Sequence, residues 1–457
     1  MAMAPVADEL GERFAAAGFA LHLVGGPVRD ALLGRVGADL DFATDARPEQ
    51  VLALIDGWAD ATWTMGITFG TVGMAKGAHL LEVTTYRSES YDAASRKPDV
   101  VYGATLDGDL VRRDFSINAM ALSVPGHQFT DPYGGLADLL ARRLRTPGRP
   151  EDSFADDPLR MLRLARFTAA LNFTADADVI AAATAMAERI KIVSAERIRD
   201  ELSKLLLAPD PVPGLALLVE TGLAEHVLPE LPKLRLEIDP IHHHKDVYAH
   251  SLAVLRRAIE LETGGPDLTL RVAALLHDIG KPRTRAFGPA GVSFHHHEVV
   301  GAAMARTRLR ALRFPKVLVD DVVRLIELHL RFHGYGRGEW TDSAVRRYVR
   351  DAGPLLGRLN ALVRSDVTTR NRRKAAELAA AYDELEARIV HLAQEEELSA
   401  LRPDLDGREI MALLDVPPGP MVGAARAFLL EARLEHGPLE REEAIRALRA
   451  WAAEQDR

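Results

Sequence analysis

The sequence predicts an α+β fold: a small sheet with its helices over residues 1–150, then an all-α body to the end of the chain. Three observations predict it. Short apolar runs alternate with turn residues early on: ALHLV before Gly25-Gly26, LDFAT at 40–44 and HLLEVTTY at 79–86, with NAMALSV at 118–124 reading as helical. From Asp157 the period is helical, with Leu159, Leu162, Ala165 and Ala169 on one face. Breaks at Pro209–Pro213, Pro229–Pro240, Gly264–Pro266 and Pro417–Pro420 then punctuate the helices.

Composition bounds the chemistry. The 457 residues, 47% of them hydrophobic, exclude a disordered or fibrous chain. Without cysteine there is no disulfide, thiolate metal site or Cys nucleophile, so any metal must sit on histidines and carboxylates. A net charge of −9, from 57 Lys+Arg and 66 Asp+Glu, argues against indiscriminate adhesion to nucleic acid and leaves room for a local basic track. MAMAPVADEL lacks a basic n-region with an apolar core, and no run approaches the roughly 18 apolar residues of a membrane span; a cytoplasmic protein with no membrane partner is expected.

In LHLVGGPVRDALLG a strand runs into Gly25-Gly26, with Pro27 at a helix N1 position and Arg29 in the first turn. Glycines permit close backbone approach, the helix start offers N–H groups and Arg29 adds charge, which suits a polyphosphate. A plain strand-to-helix turn is the competing reading. In ADLDFATDA, Asp39 and Asp41 lie two apart in a strand pattern, so both carboxylates project from one face. Such neighbours repel unless a cation lies between them. Mg²⁺ fits, because it takes oxygen ligands and leaves room for substrate phosphates. Glu82 in LLEVTTY is a candidate third carboxylate; the alternative makes the aspartates turn residues before a short edge strand.

RRDFSINAM at 112–120 places Arg113 and Asp114 to reach a ribose or triphosphate, with Phe115 and Ile117 packing inward. In FADDPLRMLRLARF, Asp157 and Pro158 read as N-cap and N1, and Arg160, Arg163 and Arg166 follow at i+3 steps on one broad face. With no acidic i+4 partners these arginines call for an anionic ligand; a solvated face is the alternative. Asp157 accepts and Arg160 donates, so the pair is suited to read the Watson–Crick edge of a base.

Taken in order, GGPVRDALLG, DLDFATDA, EVTTYR with DAASRKP, RRDFSINAM, DPYGGLADL, DDPLRMLRLARF and SAERIRDELSK resemble the class II tRNA nucleotidyltransferases, which include CCA-adding enzymes and bacterial poly(A) polymerases. The resemblance implies a DNA polymerase beta-like nucleotidyltransferase head over 1–150 and a nucleotide-selecting, RNA-binding helical neck and body over 151–238. It implies that Asp39 and Asp41 hold catalytic Mg²⁺, with Glu82 remaining the candidate third catalytic carboxylate of the strand reading, and that Gly26, Arg29 and Arg113 contact the incoming nucleotide. Asp157 with Arg160 would select cytosine or adenine, and Arg163 and Arg166 would face that nucleotide. One departure is visible: the family usually writes EDxxR, where this chain has Asp156-Asp157-Pro158-Leu159-Arg160.

Histidines crowd residues 242–333. The ordered set is His250 in KDVYAHSLAVL, His277-Asp278 in ALLHDIGKPRT, His297 in FHHHEVVGA, His329 in LIELHLRFH and Asp366 in LVRSDVTTRN, all in helical patterns. An adjacent His-Asp lets an imidazole and a carboxylate grip one cation or bridge two, and the donor set suits a divalent transition metal or Mg²⁺. His242, His243, His244, His295 and His296 read as surface residues. The order resembles the HD-domain phosphohydrolases, which places such a domain over 239–370. The resemblance implies that His250, His277, Asp278 and Asp366 bind one metal, with His297 and His329 available for a second. Residues 371–457 read as a helical tail whose Arg370, Arg372, Arg373 and Lys374 cluster touches tRNA phosphates or forms a solvated face.

The expected function is a CCA-adding tRNA nucleotidyltransferase: template-independent transfer of CMP and AMP from CTP and ATP to the tRNA 3′ end, with HD-domain phosphatase or phosphodiesterase activity beside it. Asp92 and Arg96 after EVTTYR resemble the flexible loop of complete CCA enzymes. The rivals are a poly(A) polymerase and an HD phosphohydrolase with a non-catalytic RNA-binding head.

Overall fold

Leu21, Leu23, Val24, Phe42 and Ala43 are buried, and their short runs form β1 (Leu21–Val24) and β2 (Asp39–Thr44). They join β3 (Ala61–Trp63), β4 (Thr71–Lys76) and β5 (His79–Thr85) on one side. A separate antiparallel pair, β6 (Arg87–Ser90) and β7 (Asp99–Tyr102), follows. β8 (Ala121–Val124) and β9 (Phe129–Thr130) complete the other side, giving the order β3-β4-β5-β2-β1-β8-β9. Only β2 and β5 run parallel; the remaining pairs of this sheet are antiparallel. The computed structural model describes residues 5–35, 37–90, 99–102, 105–236, 246–288, 291–331, 341–367, 371–396 and 402–455. Asp92, Arg96, His242, His243, His244 and Arg370 lie outside the described residues, as do the side chains of Arg372 and Lys374.

One expectation is corrected. NAMALSV is not helical: Ser116–Asn118 is a 3-10 turn and Ala121–Val124 is β8, paired with β1 from Leu21↔Val124 to Val24↔Ala121. A four-residue apolar run buried inside a sheet shows no strand alternation, so periodicity cannot separate it from a buried helix.

The chain splits into two units, Met1–Pro232 and Lys233–Arg457. In the first, α1 (Pro5–Ala16), α2 (Gly26–Leu32), α3 (Pro48–Ile55), α4 (Leu106–Val111) and α5 (Gly135–Leu140) accompany the sheet. Then come α6 (Pro150–Asp156), α7 (Leu159–Leu171), α8 (Ala177–Met186), α9 (Ala195–Leu206), α10 (Val212–Glu220) and α11 (Ala224–Val227). The start of α7 has the expected geometry: Asp157 is extended and its Oδ1 accepts from the Leu159 amide at 3.1 Å, while Pro158 after it is already helical. α7 packs against α9 and α10, burying Leu162, Ala165 and Ala169 as their period requires.

Among its described residues the second unit is helical apart from a short antiparallel pair, Ala286–Gly288 with Gly291–Ser293. Its helices are α12 (Val247–Glu260), α13 (Leu268–Leu276), α14 (Lys281–Thr284), α15 (His297–Ala311), α16 (Lys316–Leu328), α17 (Asp342–Ala352) and α18 (Leu356–Ser365). After α19 (Arg372–Glu396), the helices α20 (Gly407–Leu414), α21 (Pro420–His436) and α22 (Arg441–Gln455) share a small core of Ile410, Ala425, Leu429, Ala444 and Leu448. No helix of the described residues is long and apolar enough to cross a membrane.

Candidate functional site

Strand register builds the first site. Asp39 and Asp41 alternate with Leu40 on β2, and the parallel pairing sets Asp41 opposite Glu82 of β5, so three exposed acidic side chains share one face. Val72, Met74, Leu81, Val83 and Phe42 fill the opposite, buried face. Desolvation and the nearby Glu82 and Asp39 carboxylates push Asp41 above the ordinary carboxylate value, against the pull of Arg113. Acids that raise one another's affinity for protons also attract a divalent cation, which relieves the same repulsion.

β1 ends one residue past the Leu23↔Phe42 pair, so Gly25-Gly26 emerge beside the Asp39–Asp41 end of β2. Gly25 has φ +73°, a left-handed conformation that glycine takes without strain. A Cβ there would lie 3.0 Å from Arg113 Nη1, which puts Arg113 between the glycine turn and Asp41. Pro27 falls in the first turn of α2 as predicted.

The arginines converge, but not as bare cations. Arg29 Nη1 donates to Asn118 Oδ1 at 2.7 Å; Asn118 Nδ2 donates to Asp114 Oδ1 at 2.8 Å; Arg163 Nε donates to Asp114 Oδ2 at 2.7 Å. This relay ties the turn after β1 to α7. Arg29, Arg163 and Arg166 all lie against the Phe167 ring, at 5.2, 5.5 and 4.2 Å from its centroid. Buried Glu201 of α9 lies 2.9 Å from Arg166 and 3.5 Å from Arg163. The premise that the stripe lacks acidic partners is therefore corrected: they come from distant elements, not from i+4.

Asp114 is buried and also accepts from the Phe115 amide, so it anchors the cluster. Burial alone would raise its pKa, yet the Arg163 charge and the Asn118 bond hold it far below the usual range. Asp157 and Arg160 turn to different partners. Asp157 Oδ2 accepts from Arg197 at 2.7 Å, whereas Arg160 is 7% exposed and donates to Ser153 Oγ and to the Arg112 carbonyl. Sequence reasoning missed Asp109, Asn118, Arg197 and Glu201. Asp109 is fully buried and holds Arg112 and Arg113 at 2.6 and 2.8 Å; its i+3 and i+4 spacing to those arginines was the signal for it.

The second site is made at helix ends. His277 and His329 cap α13 and α16, His297 opens α15, Asp366 caps α18 and Asp278 follows His277, while His250 reaches in from α12. Nδ1 of His277, His297 and His329 each contacts the carbonyl three residues earlier, at 2.9, 2.8 and 2.7 Å. A carbonyl only accepts, so each Nδ1 carries the proton and Nε2 presents a lone pair when the ring is neutral. Two sets converge with ligand atoms within 4.8 Å of one another: His250, His277 and Asp366; and Asp278, His297 and His329. Asp278 spans both. Its Oδ2 lies 3.2 Å from His277 Nε2 and its Oδ1 3.2 Å from His297 Nε2.

The donor set fits a cation. Asp278 Oδ1, His297 Nε2 and His329 Nε2 are buried without a hydrogen-bond partner, although two of them touch. Such orphans are costly unless coordinated. Burial opposes charge on His277, but Asp278 and Asp366 hold it up at about 10; burial and the His277 charge push His329 down to about 4. Exposed His295 and His296 match their expected surface role.

The Poly A polymerase head domain family matches residues 21–145, the probable RNA- and SrmB-binding site of polymerase A matches 172–234, and the HD domain matches 247–397. An A-adding tRNA nucleotidyltransferase of Deinococcus radiodurans is 35% identical over 446 residues, 94% of this chain and 95% of that protein. The chain belongs to the tRNA nucleotidyltransferase family. A CC-adding tRNA nucleotidyltransferase of Thermus thermophilus is 34% identical over 437 residues, 94% of this chain and 93% of its own length. A Bacillus stearothermophilus CCA-adding enzyme solved with CTP shares the fold at a TM-score of 0.72 and 25% identity, covering 100% of this tRNA nucleotidyltransferase and 99% of that chain.

Proposed function

We propose that this tRNA nucleotidyltransferase builds the whole CCA end, transferring CMP twice and AMP once from CTP and ATP to the tRNA 3′-hydroxyl. The observation that carries the reading is the register that aligns Asp39, Asp41 and Glu82 on one face beside the Gly25-Gly26 turn and Arg113. Mg²⁺ held by these carboxylates would supply the Lewis acid for nucleotidyl transfer. The 3′-oxygen attacks the α-phosphorus and pyrophosphate leaves, with Arg113, Arg29 and the backbone at Gly26 taking up triphosphate charge. Asp157 and Arg160 present an acceptor and a donor to the base; Arg160 must exchange bonds with Ser153 to do so. Arg163 and Arg166, fixed by Asp114 and Glu201, set the pocket's positive wall.

The second reading, a partial activity, is favoured by one observation: two relatives matched over nearly the whole chain are an A-adding and a CC-adding enzyme. Product length separates them. With tRNA lacking CCA, CCA addition gives two residues with CTP alone and three with CTP and ATP. A CC-adding enzyme stops at two with both nucleotides. An A-adding enzyme extends only tRNA ending in CC, and long ladders with ATP alone mark a poly(A) polymerase. Asp39→Ala or Asp41→Asn should lower addition by about a thousandfold or more without changing the circular dichroism spectrum.

We further propose a four-part organisation: head 1–150, neck and body 151–238, HD domain 239–370 and helical tail 371–457. The histidine centre would hold a divalent transition metal or Mg²⁺ and hydrolyse phosphoesters that block an RNA 3′ end. His250, His277, Asp278 and Asp366 would hold one ion, with His297 and His329 available for a second, and Lys281 Nζ, 2.6 Å from Asp278, offers charge to a phosphate. Unchanged hydrolysis of 2′,3′-cyclic AMP by His277→Ala would sink that assignment.

A further inference from the structure

One rung of the sheet carries more than the carboxylates. Trp63 pairs with Gly73, Gly73 with Glu82, and Glu82 with Asp41, across β3, β4, β5 and β2. Paired residues in adjacent strands point to the same side, so Trp63 stands on the acidic face. Its indole does not stand upright. A Cβ at Gly73 would meet Trp63 Nε1 at 2.0 Å and Cε2 at 2.2 Å, so the ring lies across the bare backbone of β4 toward Glu82. Gly73 is buried beneath it, while the indole is half exposed and its N–H donates to no acceptor among the described residues. The next rung on this face, Ala61–Ala75–Leu80–Asp39, keeps the space beside the ring low.

The position selects the ligand. The triphosphate cradle of Gly25-Gly26, Arg29 and Arg113 lies on the β1 side of Asp41. In phosphoryl transfer the attacking and leaving oxygens are roughly in line, so the acceptor approaches from the opposite side. That side holds Glu82 and, one strand spacing of about 5 Å beyond it, the indole over β4. A half-exposed indole whose other face is fixed on backbone is a platform for a nucleobase of any identity.

We infer that Trp63 is a positioning residue whose indole stacks on the terminal nucleotide of the RNA acceptor and aims its 3′-hydroxyl at the Asp39–Asp41–Glu82 centre. The inference rests on the nucleotidyltransferase reading of that centre.

Steady-state addition by the full chain tests it, with acceptor and nucleotide varied separately. Trp63→Leu fills the space without a π face; Trp63→Phe keeps one. The leucine variant should raise the acceptor KM about tenfold or more and leave the CTP and ATP KM unchanged, and the phenylalanine variant should recover most of the loss. Gly73→Ala, which drives the indole off its seat, should reproduce the leucine pattern. An acceptor carrying 2-aminopurine as its last base should lose fluorescence on binding to wild type and not to Trp63→Leu. An unchanged acceptor KM in Trp63→Leu, with wild type still extending RNA, overturns the platform and leaves the function standing. A rise in nucleotide and acceptor KM together, not relieved by phenylalanine, assigns Trp63 a purely structural part and likewise overturns it. Failure of wild type to extend any acceptor overturns both.

Discussion

Asp114 shows how much of the candidate nucleotide pocket hangs on one buried carboxylate. It is buried, accepts from Arg163, Asn118 and the Phe115 amide, and so fixes a cation wall before any ligand arrives. Removing one partner of such a pair strands the other, so Asp114→Asn should cost about 3 kcal/mol in urea unfolding at neutral pH. The sign with pH follows. A carboxylate held below its unfolded value contributes stability that is full above the ordinary carboxylate range and is lost as pH falls through the lowered one. The gap between wild type and variant should therefore shrink in acid; a gap constant with pH would remove the charge from the explanation. Asp39 and Asp41 were legible in the sequence because a spacing of two in a strand fixes a shared face. Glu201 was not, because its arginines lie on another helix and only folding brings them into reach; Asp109, three and four residues before Arg112 and Arg113, was readable from that spacing.

Among elements, the strands around the acidic rung were readable from their apolar runs, and α7 from its period. β8 was not, since burial between β1 and β9 removed the alternation that marks a strand. The histidine centre was legible as a list but not as a construction. Its ligands sit at helix ends, where backbone carbonyls lie within reach of Nδ1, and helical periodicity says nothing about where a helix stops. What closes the centre is the approach of α14 to α15. A Cβ on Gly280 would lie 2.1 Å from the His297 carbonyl oxygen and 2.7 Å from the Gly301 amide nitrogen, both backbone atoms. Gly280→Ala must part the two segments, at a cost of about 1–3 kcal/mol in thermal unfolding. Mn²⁺ affinity by calorimetry should fall with it, although no ligand has changed; full affinity would mean the segments can yield.

At the scale of the molecule, the two proposed chemistries fall in two units with no shared residue. Asp41→Asn should abolish nucleotide addition and leave hydrolysis of 2′,3′-cyclic AMP intact, while His277→Ala should do the reverse. Both assays on both variants check this, and loss of both activities in either variant would show that the sites depend on one another. The acidic net charge also requires that RNA be held by local arrays of arginine, so acceptor affinity should weaken steeply with salt.

The facing glycines at 280 and 301 also bear on how relatives are read. A cation centre is usually recognised by counting its donors, and a sequence that keeps His250, His277, Asp278, His297, His329 and Asp366 would pass that count. Yet the donors meet only where two backbones touch with nothing between them. A descendant that kept all six and gained a methyl group at position 280 would hold a weakened centre with an intact signature. Gly280, which coordinates nothing, belongs in that count beside the donors.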